Sequence, residues 1–161
     1  MAFTVEDGTG VVDANSYVTV AELRTYATDR GITLPVADAS VQYLLVKAAD
    51  HLETMRFIGS VETTDQGLKF PRLVTDQYGT ATSTGVPAEI KKAQKMCAIE
   101  AQTGALDVAA RTSKYKRTKI DQIYVEYRDA FEVAFGFAFP AVDAVLEPWL
   151  LNNGRTITVR A

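Results

Sequence analysis

A mainly helical fold is expected: a small bundle of about four helices with a C-terminal β-hairpin or extended segment and extended terminal arms. Three features of the sequence point to it. Apolar residues recur at three- and four-residue spacing through residues 38–55 and again through 87–106, the period changes to two around residues 123–127, and glycine- or asparagine-rich turns set off both ends. With 161 residues, 47% of them hydrophobic and 23% charged, the chain fits a single globular domain. We place that domain at residues 1–151, with an N-terminal arm at 1–18 and a β-hairpin insertion at about 113–139, followed by a C-terminal arm at 152–161.

The chain opens with Phe3 and Val5, the turn-forming Glu6-Asp7-Gly8-Thr9-Gly10, and then an extended stretch through Ala14-Asn15-Ser16-Tyr17-Val18. Its glycines suit a tight turn, and the whole reads as a loosely ordered extended arm. Gly8-Thr9-Gly10 is a poor phosphate loop, because no third glycine, no Lys-Ser/Thr pair and no strand–turn–helix context accompanies it. Thr19 and Glu22 match a capping box, which starts a helix over roughly residues 20–30 with Leu23, Tyr26 and Ala27 as its apolar stripe and Gly31 as its stop.

The central helix starts at Asp38 or Ser40 as candidate caps and buries Val41, Leu44, Leu45, Ala48, Leu52 and Met55. Gln42, Lys47, Asp50 and Glu53 fall on its solvated side. After Gly59 the polar residues 62–66 read as a surface loop that returns through Leu68-Lys69-Phe70-Pro71-Arg72, and residues 73–85, rich in Thr, Gly, Ser, Asp and Gln, read as a further loop. Val86-Pro87 opens a third helix to about Gln102, with Ile90, Ala93, Cys97, Ala101 and Leu106 on or near one stripe.

Beyond it, Ile123, Val125 and Tyr127 alternate with polar or aromatic neighbours as a half-buried strand, with residues 114–120 as its hairpin partner around Asp121-Gln122. The aromatic run Phe131, Phe135, Phe137 and Phe139 alternates as a further strand or ribbon. Residues 140–146 form a short last helix that Pro148 ends. Arg155, Ile157, Val159 and Arg160 lie in a tail that alternates like a lone edge strand, and such a strand needs a partner.

Charge and composition narrow the function classes. A net charge of −3 gives no broad field for nucleic acid or an acidic membrane, so such contacts would need a local cluster. No apolar run approaches the roughly 20 residues that cross a bilayer, so no membrane partner is expected. The single cysteine, Cys97, allows no intramolecular disulfide, and the start Met-Ala-Phe-Thr-Val-Glu-Asp lacks the pattern of a signal peptide, so a reducing cytoplasm is the expected compartment.

No residue pattern marks catalysis, a metal or a cofactor. His51 has no second ligand at helical spacing beyond ordinary acidic residues, Cys97 sits on an apolar stripe as a small hydrophobe, and neither an EF-hand loop nor a nucleophile elbow occurs. The polar feature of note is Lys114-Tyr115-Lys116-Arg117-Thr118-Lys119, basic residues interleaved with an aromatic one, which suits phosphate contact and base stacking. A solvated hairpin edge, whose lysines discourage strand pairing, fits the same residues, which are not all of one strand parity.

Several of these segments together resemble a family of tailed-phage proteins. They are Glu6-Asp7-Gly8-Thr9-Gly10, Ala14-Asn15-Ser16-Tyr17-Val18, Phe70-Pro71-Arg72, Val86-Pro87, Val125-Glu126-Tyr127 and Pro140-Ala141-Val142-Asp143-Ala144, in order over most of the chain. Some members carry the label of DnaT-like single-stranded DNA-binding proteins, and members of this kind resemble head-to-tail adaptor (head completion) proteins. The resemblance implies a non-enzymatic neck component of the virion, assembled in the host cytoplasm as a homo-oligomeric ring, typically of twelve subunits. Its implied partners are the portal protein above, a downstream neck or tail protein below, and genomic DNA passing through without sequence preference. On that reading Lys114, Tyr115, Lys116, Arg117 and Lys119 face DNA or a neighbour, and Arg155, Ile157, Val159 and Arg160 belong to a portal-docking arm. The alternative implied by the label is a single-stranded DNA-binding protein leaning on residues 114–119 with Tyr115 and Tyr124. Residues 129–139 are longer and more aromatic than the resemblance implies.

Overall fold

The computed structural model describes residues 2–75, 78–104, 106, 117–120, 123–126 and 139–151. Of the residues expected to contact DNA or a partner, Lys114, Tyr115, Lys116, Arg155, Ile157, Val159 and Arg160 lie outside this set, as does the aromatic run except Phe139.

Among the described residues four α-helices accompany a three-stranded antiparallel sheet, so the architecture is mixed α/β and the mainly α expectation is corrected. The helices are α1 (Val20–Thr28), α2 (Asp38–Glu53), α3 (Ala88–Thr103) and α4 (Pro140–Leu146), the last running into a 3₁₀ turn at Glu147–Trp149. The sheet is built from β1 (Ser60–Val61), β2 (Arg72–Thr75) and β3 (Ala81–Ser83) in spatial order β1-β2-β3. Ser60 faces Leu73, and Val74 faces Thr82. β3 and all of β2 after Arg72 lie in the stretch 73–85 that composition assigns to a loop, and β1 lies between Gly59 and the polar loop 62–66. Strands of two to four residues are too short for an alternation to register, and their stability comes from cross-strand pairing that composition does not display. Val and Thr in β2 nevertheless suit a pleated, half-buried surface.

The helices form as their patterns require. Thr19 and Glu22 make the capping box, Glu22 N–H donating to Thr19 Oγ1 and Thr19 N–H donating to the Glu22 carboxylate. α2 begins one residue after Ala37 without a side-chain cap, and Asp38 is instead ion-paired at 2.7 Å with Arg24 of α1. α2 and α3 pack against each other through Leu45, Ala48, Leu52, Ile90, Ala93 and Cys97, all buried, with alanines allowing close approach. Leu23 and Ala27 bring α1 onto this pair, and Val142 and Leu146 seat α4 on α3.

The chain after α4 closes the other side of the core. Leu150 bridges antiparallel to Phe57, with Ile58 N–H donating to Trp149 O and Leu151 N–H to Arg56 O. A second antiparallel ribbon is formed by β4 (Arg117–Ile120) and β5 (Ile123–Glu126), as the hairpin expectation requires. No helix among the described residues is long and apolar enough to cross a membrane.

Candidate nucleic-acid interface

Most of the motif residues prove to be occupied in holding the fold together. The N-terminal segment is extended but firmly stitched. Glu6 is fully buried, and its carboxylate accepts from the backbone N–H groups of Gly8, Gly10 and Val11 at 2.8–2.9 Å. Gly8-Thr9-Gly10 therefore does cradle an anion, but the anion is the side chain of its own neighbour. Asp7 accepts from the Thr9 amide and hydroxyl, which holds its carboxyl below the usual carboxylate range. Asn15 ties this turn to residues 2–4 by accepting from Thr4 N–H and donating to Ala2 O. Gly67 is needed where the loop after β1 crosses the segment, because a Cβ there would stand 2.6 Å from the carbonyl oxygens of Val12 and Ala14.

Tyr17 and Phe70 form the centre of this stitching. Both are fully buried and meet edge to face, with Phe57 and Trp149 also packed edge to face on Phe70 at 5.0 and 5.9 Å between centroids. Tyr17 OH donates to Glu53 at 2.6 Å and accepts from Phe70 N–H. Glu53 also accepts from Lys69 N–H, so a residue that helical periodicity places on the solvated side of α2 is an inward-turned acceptor. Burial, then the nearby Glu53 charge, raise the Tyr17 phenol well above its ordinary value, and burial raises the Glu53 carboxyl.

Arg72, which follows the cis Phe70-Pro71 bond, donates to the carbonyls of Ile58 and Gly59 at 2.7 and 2.6 Å and to those of Phe57 and Lys69 at longer range. Gln94 on α3 is fully buried, accepts from Tyr17 N–H and donates to Ser16 Oγ and Leu45 O. Nothing in the sequence singles out Gln94, since an amide on an apolar stripe looks like a gap in the pattern.

Cys97 and His51 are the residues weighed for catalysis. Cys97 is buried and its thiol is pushed up to about 12 by burial and then by the charges of Asp143 and Glu100, the opposite of an activated thiolate. His51 meets Phe139 edge to face at 5.7 Å. Among the described residues no group of three or more His, Cys, Asp or Glu is placed to hold a metal.

Asp143 of α4 stands out because its Oδ2 is buried without a hydrogen-bond partner, and burial pushes the carboxyl up to about 6 from an ordinary 3.8. The folded state thus favours the protonated acid. Its contribution to stability is full below about pH 4 and is lost as pH rises through about 6. Asp143→Asn is therefore expected to stabilise the protein at pH 7 by about 1 kcal/mol, once screening at a half-exposed group is allowed for, and to change nothing below pH 4. Urea unfolding at both pH values checks this, and a less stable variant at pH 7 would contradict it.

Of the basic segment, the structure describes Arg117 and Lys119. Both lie on β4, with Arg117 opposite Glu126 and Lys119 opposite Tyr124 across the ribbon. Strand alternation puts these four positions on one face and Thr118, Ile120, Ile123 and Val125 on the other. Cationic and aromatic positions are thus brought together on one ribbon, as contact with an unpaired strand requires.

The sequence pattern of the family described as "Putative DnaT-like ssDNA binding protein" matches residues 1–161. The chain belongs to that family. No curated protein and no solved structure matches it. Within the matched span, Tyr17 and Arg72 hold together segments distant in sequence, and Glu6 closes the turn that follows it.

Proposed function

We propose that the protein binds single-stranded DNA without sequence preference, through local cationic and aromatic positions on an otherwise mildly acidic surface. The family match over residues 1–161 carries this reading. The β4–β5 ribbon supports it, because its register pairs a cationic position, Lys119, with an aromatic one, Tyr124, the residue types that suit a phosphate and a base. Phosphate contact of this kind is sequence-independent and weakens with salt, the slope growing with the number of phosphates neutralised. Fluorescence anisotropy with labelled mixed-sequence and homopolymeric single strands, with duplex as competitor, tests it. Binding at about 50 mM salt that fades by 200 mM and is indifferent to base order is the expected result. No binding at the lower salt would overturn the reading.

A second reading is a ring subunit of a tailed-phage neck, in contact with the portal and a downstream neck protein and lining the DNA passage in the virion. The β1–β2–β3 sheet favours it. Among the described residues no helix packs against this sheet, β1 and β3 are exposed along their length, and Val61 and Tyr78 expose large side chains beside them. An uncovered edge of this kind can accept a strand from a neighbour. Light scattering and negative-stain images of the purified protein decide between the two: a closed ring favours the neck subunit, and a monomer that binds oligonucleotides favours the first reading.

A further inference from the structure

A second cluster of cations and an aromatic ring lies far from the ribbon in sequence, where α1 meets α3. Tyr26 of α1 carries the guanidinium of Arg30 on its ring, the central carbon 3.5 Å from the centroid, and Arg30 Nη1–H also donates to Tyr26 O. Lys95 of α3 brings its ammonium to 5.8 Å from the same centroid. Glu22 is the carboxylate nearest this group, and its oxygen is already engaged by the Thr19 amide and hydroxyl in the capping box. Burial raises the Glu22 carboxyl, but the Thr19 hydrogen bonds together with the charges of Lys91 and Lys95 outweigh it and hold the group below its ordinary value, so both lysines are felt at this point.

Arg30 and Lys95 thus converge on one ring, and Lys91 lies four residues before Lys95 on α3. Among the described residues, neither Lys91, Lys95 nor Arg30 is in an ion pair; the pair found there is Arg24 with Asp38. Arg30 is exposed, and a guanidinium lying on a tyrosine offers its outer plane to solvent, so the same group can stack under a base and donate to a phosphate. The two lysines, one helical turn apart on α3, can follow a backbone running along the helix.

We propose that Tyr26, Arg30, Lys91 and Lys95 form a binding surface for the sugar-phosphate backbone and one base of a single-stranded nucleic acid. This rests on the DNA-binding reading above and gives it a site on the helical body, separate in sequence from the ribbon.

The test is anisotropy of a labelled oligothymidylate against the full chain, carrying Arg30→Gln, Lys91→Gln and Lys95→Gln together, over a salt series. Neutralising three phosphate contacts should weaken binding about tenfold or more at low salt and lower the salt slope by about 2, at roughly 0.7 per contact. The Lys91→Gln, Lys95→Gln pair, which leaves the Arg30–Tyr26 contact intact, should lower the slope by about 1.4 and guards against a triple variant that fails to fold. If the wild-type chain binds and these folded variants bind equally well with the same slope, the α1–α3 surface is not the site and the DNA-binding reading stands on the ribbon. If the wild-type chain does not bind, both fall.

Discussion

Arg72→Met is expected to destabilise the fold by about 3–5 kcal/mol, among the larger effects open to a single residue. The substitution keeps most of the stem and removes the guanidinium. The carbonyls of Ile58 and Gly59 then lose donors at 2.7 and 2.6 Å, and those of Phe57 and Lys69 lose weaker ones. Water cannot readily replace these donors, because Arg72 is buried, with its guanidinium 5.9 Å from the Phe70 ring centroid. A planar fork with five N–H donors can reach four carbonyls at once, whereas an ammonium has three donors on a compact head. Arg72→Lys should therefore recover only part of the loss. Denaturant titration of the three proteins reads this directly, and a loss under 1 kcal/mol for the methionine variant would show that the carbonyls find other partners. β1 and β2 should loosen first, since Arg72 begins β2 and its acceptors at Phe57, Ile58 and Gly59 lie just before β1.

Legibility from sequence followed the range of the forces involved. The capping box at Thr19, the stripes of α2 and α3, the Pro140 helix and the β4–β5 register rest on neighbours within a few residues, and all are readable from spacing. The β1–β2–β3 sheet was not readable, because Ser60, Leu73 and Ser83 stabilise one another only across the sheet. The same applies to polar burial. Glu53 lies on the outward side of a helical wheel, yet Tyr17 and Lys69, 36 and 16 residues away, turn it into an internal acceptor. The candidate site divides likewise: the ribbon's basic residues announce themselves in sequence, whereas Tyr26, Arg30 and Lys95 become one surface only when α1 lies on α3.

Gln94→Leu should cost about 2–4 kcal/mol although it places an apolar side chain of similar size in a buried site. Gln94 joins three segments: its carbonyl oxygen accepts from Tyr17 N–H at 2.9 Å, and its amide donates to Ser16 Oγ and to Leu45 O, each at 2.9 Å. These losses are unequal. Leu45 O lies inside α2 and keeps a helical partner, and Ser16 Oγ still donates to Val18 O and accepts from Val18 N–H. Tyr17 N–H has no such substitute in the fully buried segment 16–18, so most of the penalty falls on one orphaned donor. Gln94→Glu separates the two halves of the amide. It keeps an acceptor for Tyr17 but faces Leu45 O and Ser16 Oγ with a carboxylate, so its deficit should be small at low pH, where the acid is protonated and can donate, and should grow as pH rises. Unfolding free energies at pH 4 and pH 7, with hydrogen exchange at the Tyr17 amide, test this. Unchanged protection of that amide in Gln94→Leu would show that the N-terminal segment is not held to the helices through Gln94.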